Sequence, residues 1–203
     1  MSLRIFPLLL SFTFSITADT NKIDKVSLNI PLSKPLSYEE SIIKASDGIY
    51  KKWGSDNRNL KVIIIDFTIP LGKERLFVVD LKSHTIVKSS RVCHGVGSSR
   101  TSIPEKFSNE KNSKMSSKGI MKTAETYYGM WGYSMKVDGL EPGVNSNARD
   151  RAIVFHNSDL QKSFWSWGCF SMPGGDYKDV IDMTKNGTLI FVFSNKEELS
   201  KYL

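Results

Sequence analysis

Residues 61–70 read KVIIIDFTIP and residues 74–82 read ERLFVVDLK. Both are runs of β-branched and aromatic residues, and both end at turn formers: Pro70 and Gly72 after the first, Lys82-Ser83-His84 after the second. That pattern predicts two strands, the second turning back into TIVKSSRVCHG (Thr85–Gly95) as a hairpin. RAIVFH (Arg151–His156) and TLIFVFS (Thr188–Ser194) add two more strand candidates. Strands dominate, so the expectation is one mostly β domain over residues 61–203, a sandwich or barrel with a few short helices.

Outward from this core, the pattern changes period. In LSYEESIIKASDGIYKKW, Ser37 and Glu40 are placed as a capping box, and Ile42, Ile43, Ile49, Tyr50 and Trp53 follow at helical spacing. An amphipathic helix to about Trp53 is therefore expected, forming with an irregular lead-in a segment 19–60 packed on the domain. A short helix fits between Asp176 and Asn186, with Gly187 as its stop. Gly95–Gly119, rich in Ser, Lys and Asn, and Tyr127–Asp150, rich in Gly, Tyr and Asn, read as long loops of functional type. The first residues, MSLRIFPLLLSFTFSITADT, place Arg4 before an apolar run and Ala18 at a cleavage position. They read as a signal peptide over residues 1–18. The apolar run is shorter than the roughly 20 residues of a bilayer crossing, so no stable membrane span is expected after its removal. The mature chain is expected to work outside the cytoplasm, in the periplasm or cell wall.

The formal charge is +7 over 203 residues. The basic residues are scattered through loops, such as Lys106, Lys111, Lys114 and Lys118. No aromatic-basic reading motif accompanies them, so nucleic acid is a poor partner for an exported chain. Mild attraction to an anionic cell envelope is compatible with that balance.

The scarce residue types gather in FHNSDLQKSFWSWGCFSMPGG (Phe155–Gly175), which holds one of three histidines, one of two cysteines and two of four tryptophans. A disulfide, a metal or a reacting thiol would each account for that crowding. If RAIVFH is a strand, alternation places His156 at its end, where Asn157 and Ser158 begin a turn. Gly168 before Cys169 allows a backbone closed to other residues, which can aim amides at a point beside the sulfur. Such donors stabilise the oxyanion formed when a thiolate attacks a carbonyl. A thiol needs a nearby base or cation to ionise, and His156, thirteen positions upstream, is the nearest candidate. A Cys93–Cys169 disulfide is the competing reading for an exported chain with two cysteines. A zinc site from Cys93, His94, Cys169 and His156 is possible by count, but adjacent Cys-His is poor ligand spacing.

The segment resembles the active site of the L,D-transpeptidases, the YkuD-like catalytic domain, whose signature is a histidine followed by Ser/Thr-His-Gly-Cys. More closely, the chain resembles the murein L,D-transpeptidase catalytic domain family. The runs IDFTIP, RLFVVDLKSHTIV, HGVGSS, FSNEKNSKMSSKGI, TAETYYGMWGYSMKVDGLEPGVNSNARDRAIVFH and SWGC carry the resemblance, in order, across residues 63–175. It implies Cys169 as nucleophile and His156 as base, with Gly168 and the Cys169 amide in the oxyanion hole. It further implies a main-chain carbonyl near Asn157 orienting the imidazole. Ser166 matches the Ser/Thr of the signature, while Trp167 stands where the second histidine is usual and Phe170-Ser171 departs from the common pattern.

The implied reaction is acyl transfer on peptidoglycan stem peptides, which serve as donor and acceptor. Cys169 attacks the carbonyl of the L-centre of the diamino acid and D-alanine leaves. The acyl group passes to a neighbouring amine as a 3–3 cross-link, or to water in an L,D-carboxypeptidase. No metal or organic cofactor is implied, and carbapenem-type inhibitors are expected to acylate the thiol. A catalytically idle wall-binding module with a Cys93–Cys169 disulfide is the alternative of a different class. Further candidates for substrate contact are His94, Tyr128 of the Tyr127, Tyr128 and Trp131 cluster, and Arg149 and Arg151, whose guanidinium groups match a carboxylate. Core, structural or solvated roles are the alternative for each.

Overall fold

The computed structural model describes residues 35–54, 59–158 and 165–203. The signal expected over 1–18 and the lead-in expected from residue 19 to 34 lie outside the described residues. Helix α1 spans Tyr38–Trp53. Its start is the capping box expected from the sequence: Ser37 Oγ accepts from the Glu40 amide at 3.2 Å, and Glu40 accepts from the Ser37 amide at 2.7 Å. Glu39 and Glu40 in the first turn and Lys51 and Lys52 in the last both suit the helix dipole. Ile42, Ala45, Ser46 and Ile49 recur on one buried face, and that face meets the sheet. Each buried isoleucine contributes about 2 kcal/mol by removal of apolar surface from water.

Eight strands follow: β1 Lys61–Asp66, β2 Leu76–Asp80, β3 Thr85–Ser90, β4 Gly119–Gly129, β5 Gly132–Gly139, β6 Val154–Ser158, β7 Phe170–Pro173 and β8 Leu189–Phe193. Helix α2, Tyr177–Thr184, precedes β8, and a short helix α3, Lys196–Ser200, follows it. They form one sheet in the order β3-β2-β1-β8-β4-β5-β6-β7. Neighbours are antiparallel except β1 with β8 and β6 with β7, which run parallel.

The central strands are apolar on both faces, which is why KVIII and LIFVF read as continuous hydrophobic runs rather than alternating ones. Val62, Ile64, Leu189 and Phe191 pack beneath α1. Ile63, Ile65, Ile190 and Val192 enter a second core that also takes Leu76 and Val78 from β2 and Phe155, Phe170 and Met172 from β6 and β7. Residues from both ends of one sheet share that core, so the sheet curls around it. Its edges meet where the chain leaving β3 bonds the approach to β7. Cys93 N–H donates to Ser171 O at 2.8 Å, Ser166 N–H to His94 O at 2.9 Å and Val96 N–H to Ser166 O at 2.8 Å. The mostly β class is as expected, and of the two architectures it is the curled, barrel-like one.

Two expectations are corrected. Tyr127–Asp150 is not a loop throughout, because β4 and β5 carry residues up to Gly139 as a hairpin. Its last pair is Gly129 with Gly132, around the two-residue turn Met130-Trp131. The distal half of β4 projects into solvent, so no burial pattern marks it as a strand. The second correction concerns RAIVFH. Ala152 has a left-handed φ of 54° and belongs to a turn, so β6 begins only at Val154. It continues past His156 because Asn157 and Ser158, expected in a turn, pair with Met172 and Pro173.

Candidate active site

The parallel pairing of β6 with β7 sets which side chains share a face. Phe155 lies opposite Phe170 and His156 opposite Ser171. The two phenylalanine rings pack at 4.9 Å in the core, both fully buried. Alternation then turns His156, Ser171 and Cys169 to the other side. All three line one cavity of about 890 Å³. Trp131 from the β4–β5 turn forms another part of its wall, stacking on the His156 ring with centroids 5.3 Å apart and planes at 26°.

The turn before Cys169 is held by its own side chains. Ser166 Oγ accepts from the Gly168 amide at 3.0 Å and donates to Cys169 O at 2.7 Å, giving a physical reason for a hydroxyl residue there. Gly168 has φ of 115°, and a Cβ there would lie 2.7 Å from Met115 O, so both conformation and space require glycine. The expected place of the Gly168 amide in an oxyanion hole is corrected by the same bond, since that N–H is already given to Ser166.

The Cys169 thiol is partly exposed to the cavity and donates to Ala152 O at 3.4 Å. Burial pushes its pKa up, while a main-chain hydrogen bond from Val154 and the positive charge of Arg151 act against that rise. His156 Nδ1 lies 2.6 Å from Asn157 O. A carbonyl only accepts, so Nδ1 carries the proton and Nε2 holds the lone pair in the neutral ring. Burial lowers the His156 pKa, opposed by the bond to Asn157. Both shifts favour a neutral thiol and a neutral imidazole at rest.

Arg151 lines the cavity, but its guanidinium is committed elsewhere. It donates to Ser117 Oγ at 2.8 Å, Ser113 Oγ at 3.2 Å, Met115 O at 2.6 Å and Ser108 O. It ties the long 95–119 segment to the site and leaves its charge near the thiol, rather than offering a fork to a ligand. Arg149 is likewise engaged: it pairs with Glu125 at 2.8 and 3.1 Å and with Asp138 at 3.0 Å. It is not in the cavity wall. Nor is Tyr128, which is 81% exposed beside Tyr133, with ring centroids 5.4 Å apart.

His94 is fully buried, and its Nδ1 accepts from Arg75 Nη2 at 3.0 Å. Arg75 is itself buried, donates to Val92 O at 2.9 Å and Ile69 O at 3.1 Å, and lies over the Phe67 ring. Burial and the Arg75 charge push His94 down to about 4. Only the His94 main chain reaches toward the site, through its bond from Ser166. Cys93 is buried and free, its sulfur 3.9 Å from Ser158 Oγ, and Cys169 is also free. Among the described residues, no three His, Cys, Asp or Glu side chains gather closely enough to share a metal ion. None of their helices is long and apolar enough to cross a membrane.

The structure thus brings Cys169, His156, Asn157, Ser166, Trp167 and Arg151 together in the cavity wall, with Gly168 behind them, and leaves His94, Tyr128 and Arg149 outside it. Of the aromatic cluster Tyr127, Tyr128 and Trp131, only Trp131 reaches the wall, and Lys114 is among several wall residues, with Met130, Trp165 and Ser171, that the sequence reading did not single out as site residues. Lys114 lay within the long Ser-, Lys- and Asn-rich segment.

Residues 36–193 match the L,D-transpeptidase catalytic domain, and the chain belongs to that family. Solved structures of similar fold include the L,D-transpeptidase from Stackebrandtia nassauensis, at 14% identity and a TM-score of 0.44, covering 77% of this chain and 67% of that one. Bd1075 of Bdellovibrio bacteriovorus is similar at 15% identity and a TM-score of 0.45, covering 70% and 52%. The Ldtfm–avibactam carbamoyl enzyme is similar at 16% identity and a TM-score of 0.40, covering 67% and 49%. The match spans about half the length of the last two. No match is found among curated proteins.

Proposed function

We propose that Cys169 and His156 are the reacting pair of an exported peptidoglycan L,D-transpeptidase that forms 3–3 cross-links. The observation that carries this reading is the β6–β7 register, which turns thiol and imidazole into one cavity while the Asn157 carbonyl fixes the imidazole tautomer. Cys169 Sγ attacks the carbonyl of the L-centre of the stem diamino acid as its proton passes to His156 Nε2. The Cys169 main-chain amide is the donor assigned to the oxyanion, because Gly168 N–H serves Ser166. Collapse breaks the peptide bond, and the imidazolium returns the proton to the departing D-alanine amine. An amine of a second stem then attacks the thioester, losing its proton to His156, and the thiol is regenerated. Water in place of that amine gives the carboxypeptidase outcome. The sequence of residues 1–18 supports a location in the periplasm or cell wall.

Intact-mass measurement after exposure to a carbapenem tests the pair. One acyl adduct is expected on the wild type and on Cys93→Ala, and none on Cys169→Ala. His156→Gln should slow acylation by about 10²–10⁴-fold. A wild type that takes no adduct, or an adduct that survives Cys169→Ala, overturns the reading.

A further inference from the structure

Among the described residues, the cavity wall contains two cations, Lys114 and Arg151, and no aspartate or glutamate. Arg151 spends its guanidinium on four neutral oxygens. Lys114 differs. Among the described residues its ammonium contacts only the Trp167 ring, at 4.7 Å, and makes neither a hydrogen bond nor an ion pair there. A cation placed in an enzyme cavity without a protein counter-ion is suited to an anion brought by the ligand.

The backbone shows that this placement is built. Lys114 has a left-handed φ of 55°, a strained conformation for a side chain of this kind. Gly97 N–H donates to Lys114 O at 2.9 Å. A Cβ on Gly95 would lie 2.3 Å from Lys114 O, and one on Gly97 would lie 2.3 Å from Ser113 O. The glycines of the HGVGSS run are therefore what let this backbone approach so closely. Arg151 grips Ser113 Oγ and Met115 O, the residues on either side of Lys114. Two glycines and an arginine hold one lysine in an unfavourable backbone region, with its ammonium over the tryptophan two residues before Cys169.

We infer that Lys114 forms a carboxylate subsite for the acyl donor, an inference that rests on the L,D-transpeptidase reading and adds a specificity element to it. Two donor carboxylates carry the same chemistry: the C-terminal one on the leaving D-alanine and the one on the far centre of the diamino acid. The ammonium binds one of them, and the Trp167 ring beneath it holds the cation at the cavity wall.

The test compares the free-acid tetrapeptide with two analogues, one amidated at the C-terminus and one at the diamino-acid side chain. Acylation of full-length wild type is followed by mass, and binding to Cys169→Ala by calorimetry. At low salt, one amide is expected to bind about tenfold more weakly than the acid, which identifies the carboxylate. Lys114→Gln should abolish that preference while leaving the rate for the discriminated amide near the wild-type value, and Lys114→Arg should restore it. Normal binding with an acid-to-amide ratio that Lys114→Gln does not move overturns the subsite alone. So does a loss in Lys114→Gln that is equal for acid and amides. Wild type that takes none of the three peptides overturns the substrate reading and the subsite with it.

Discussion

The face of the sheet under α1 and the wall of the cavity are stabilised by different physics. Under α1, Ile42, Ala45 and Ile49 meet Val62, Ile64 and Phe191, and the interface is apolar apart from Ser46, whose hydroxyl donates to Ile42 O within the helix. Burial there is non-directional, and its loss leaves local geometry free to relax. Along the cavity, the segment around Ser108–Ser117 is held by the Arg151 fork, and the turn before Cys169 by Ser166. These contacts are directional and each fixes an atom relative to the thiol. The lesson is that stability and chemistry in this domain rest on different residues, so substitutions should separate them.

The largest expected stability effect comes from the apolar side. Ile49→Ala should lower unfolding free energy by about 2–5 kcal/mol in urea, with carbapenem acylation of the folded fraction unchanged. A change in the acylation rate would show that the two regions are coupled.

The second effect belongs to His94, which is buried against Arg75 and accepts at its main-chain carbonyl from Ser166 N–H. Its folded pKa of about 4 lies below the ordinary 6.5, so the unfolded chain binds the proton more readily. The stability gained from keeping it neutral is present in full above pH 6.5 and is lost as pH falls through 4. That loss is about 3 kcal/mol across the window. His94→Gln should flatten the corresponding part of a urea-derived stability profile; an identical slope in the variant would refute the assignment.

The smallest effect is expected from the cavity wall. Arg151→Met should cut acylation by about tenfold and move the pH dependence of Cys169 alkylation upward, because a nearby positive charge is removed. Arg151→Lys keeps the charge but not the fork, so the alkylation profile should stay near wild type while acylation remains slow. Parallel recovery of both measurements would mean that charge alone is what Arg151 contributes.

How much of this was legible in the sequence follows the same division. The capping box at Ser37, the β2–β3 hairpin, β8 and the helix before Gly187 all rest on local periodicity and turn chemistry, and each forms close to its expected place. Cys169, His156 and Ser166 were marked by residue types and the family signature. What stayed hidden is non-local. The edge-to-edge closure joins Cys93 to Ser171, and Arg151 reaches back more than thirty positions to its serines. Arg149 and Tyr128 have the right chemistry for ligand contact, but the pleat of the β4–β5 hairpin and the carboxylates of Glu125 and Asp138 claim one, and solvent the other.

The parallel pairing of β1 with β8 carries a consequence for how the molecule comes into being. Val62 waits for Leu189, and Gly119 on the strand beyond waits for Val192. A nascent chain that stops short of residue 189 has a gap in the middle of its sheet, with two facing rows of unmatched amides and carbonyls. Cooperative folding is thus deferred until β8 has been made, and removal of residues 189–203 should disable the whole domain rather than trim one rim of it.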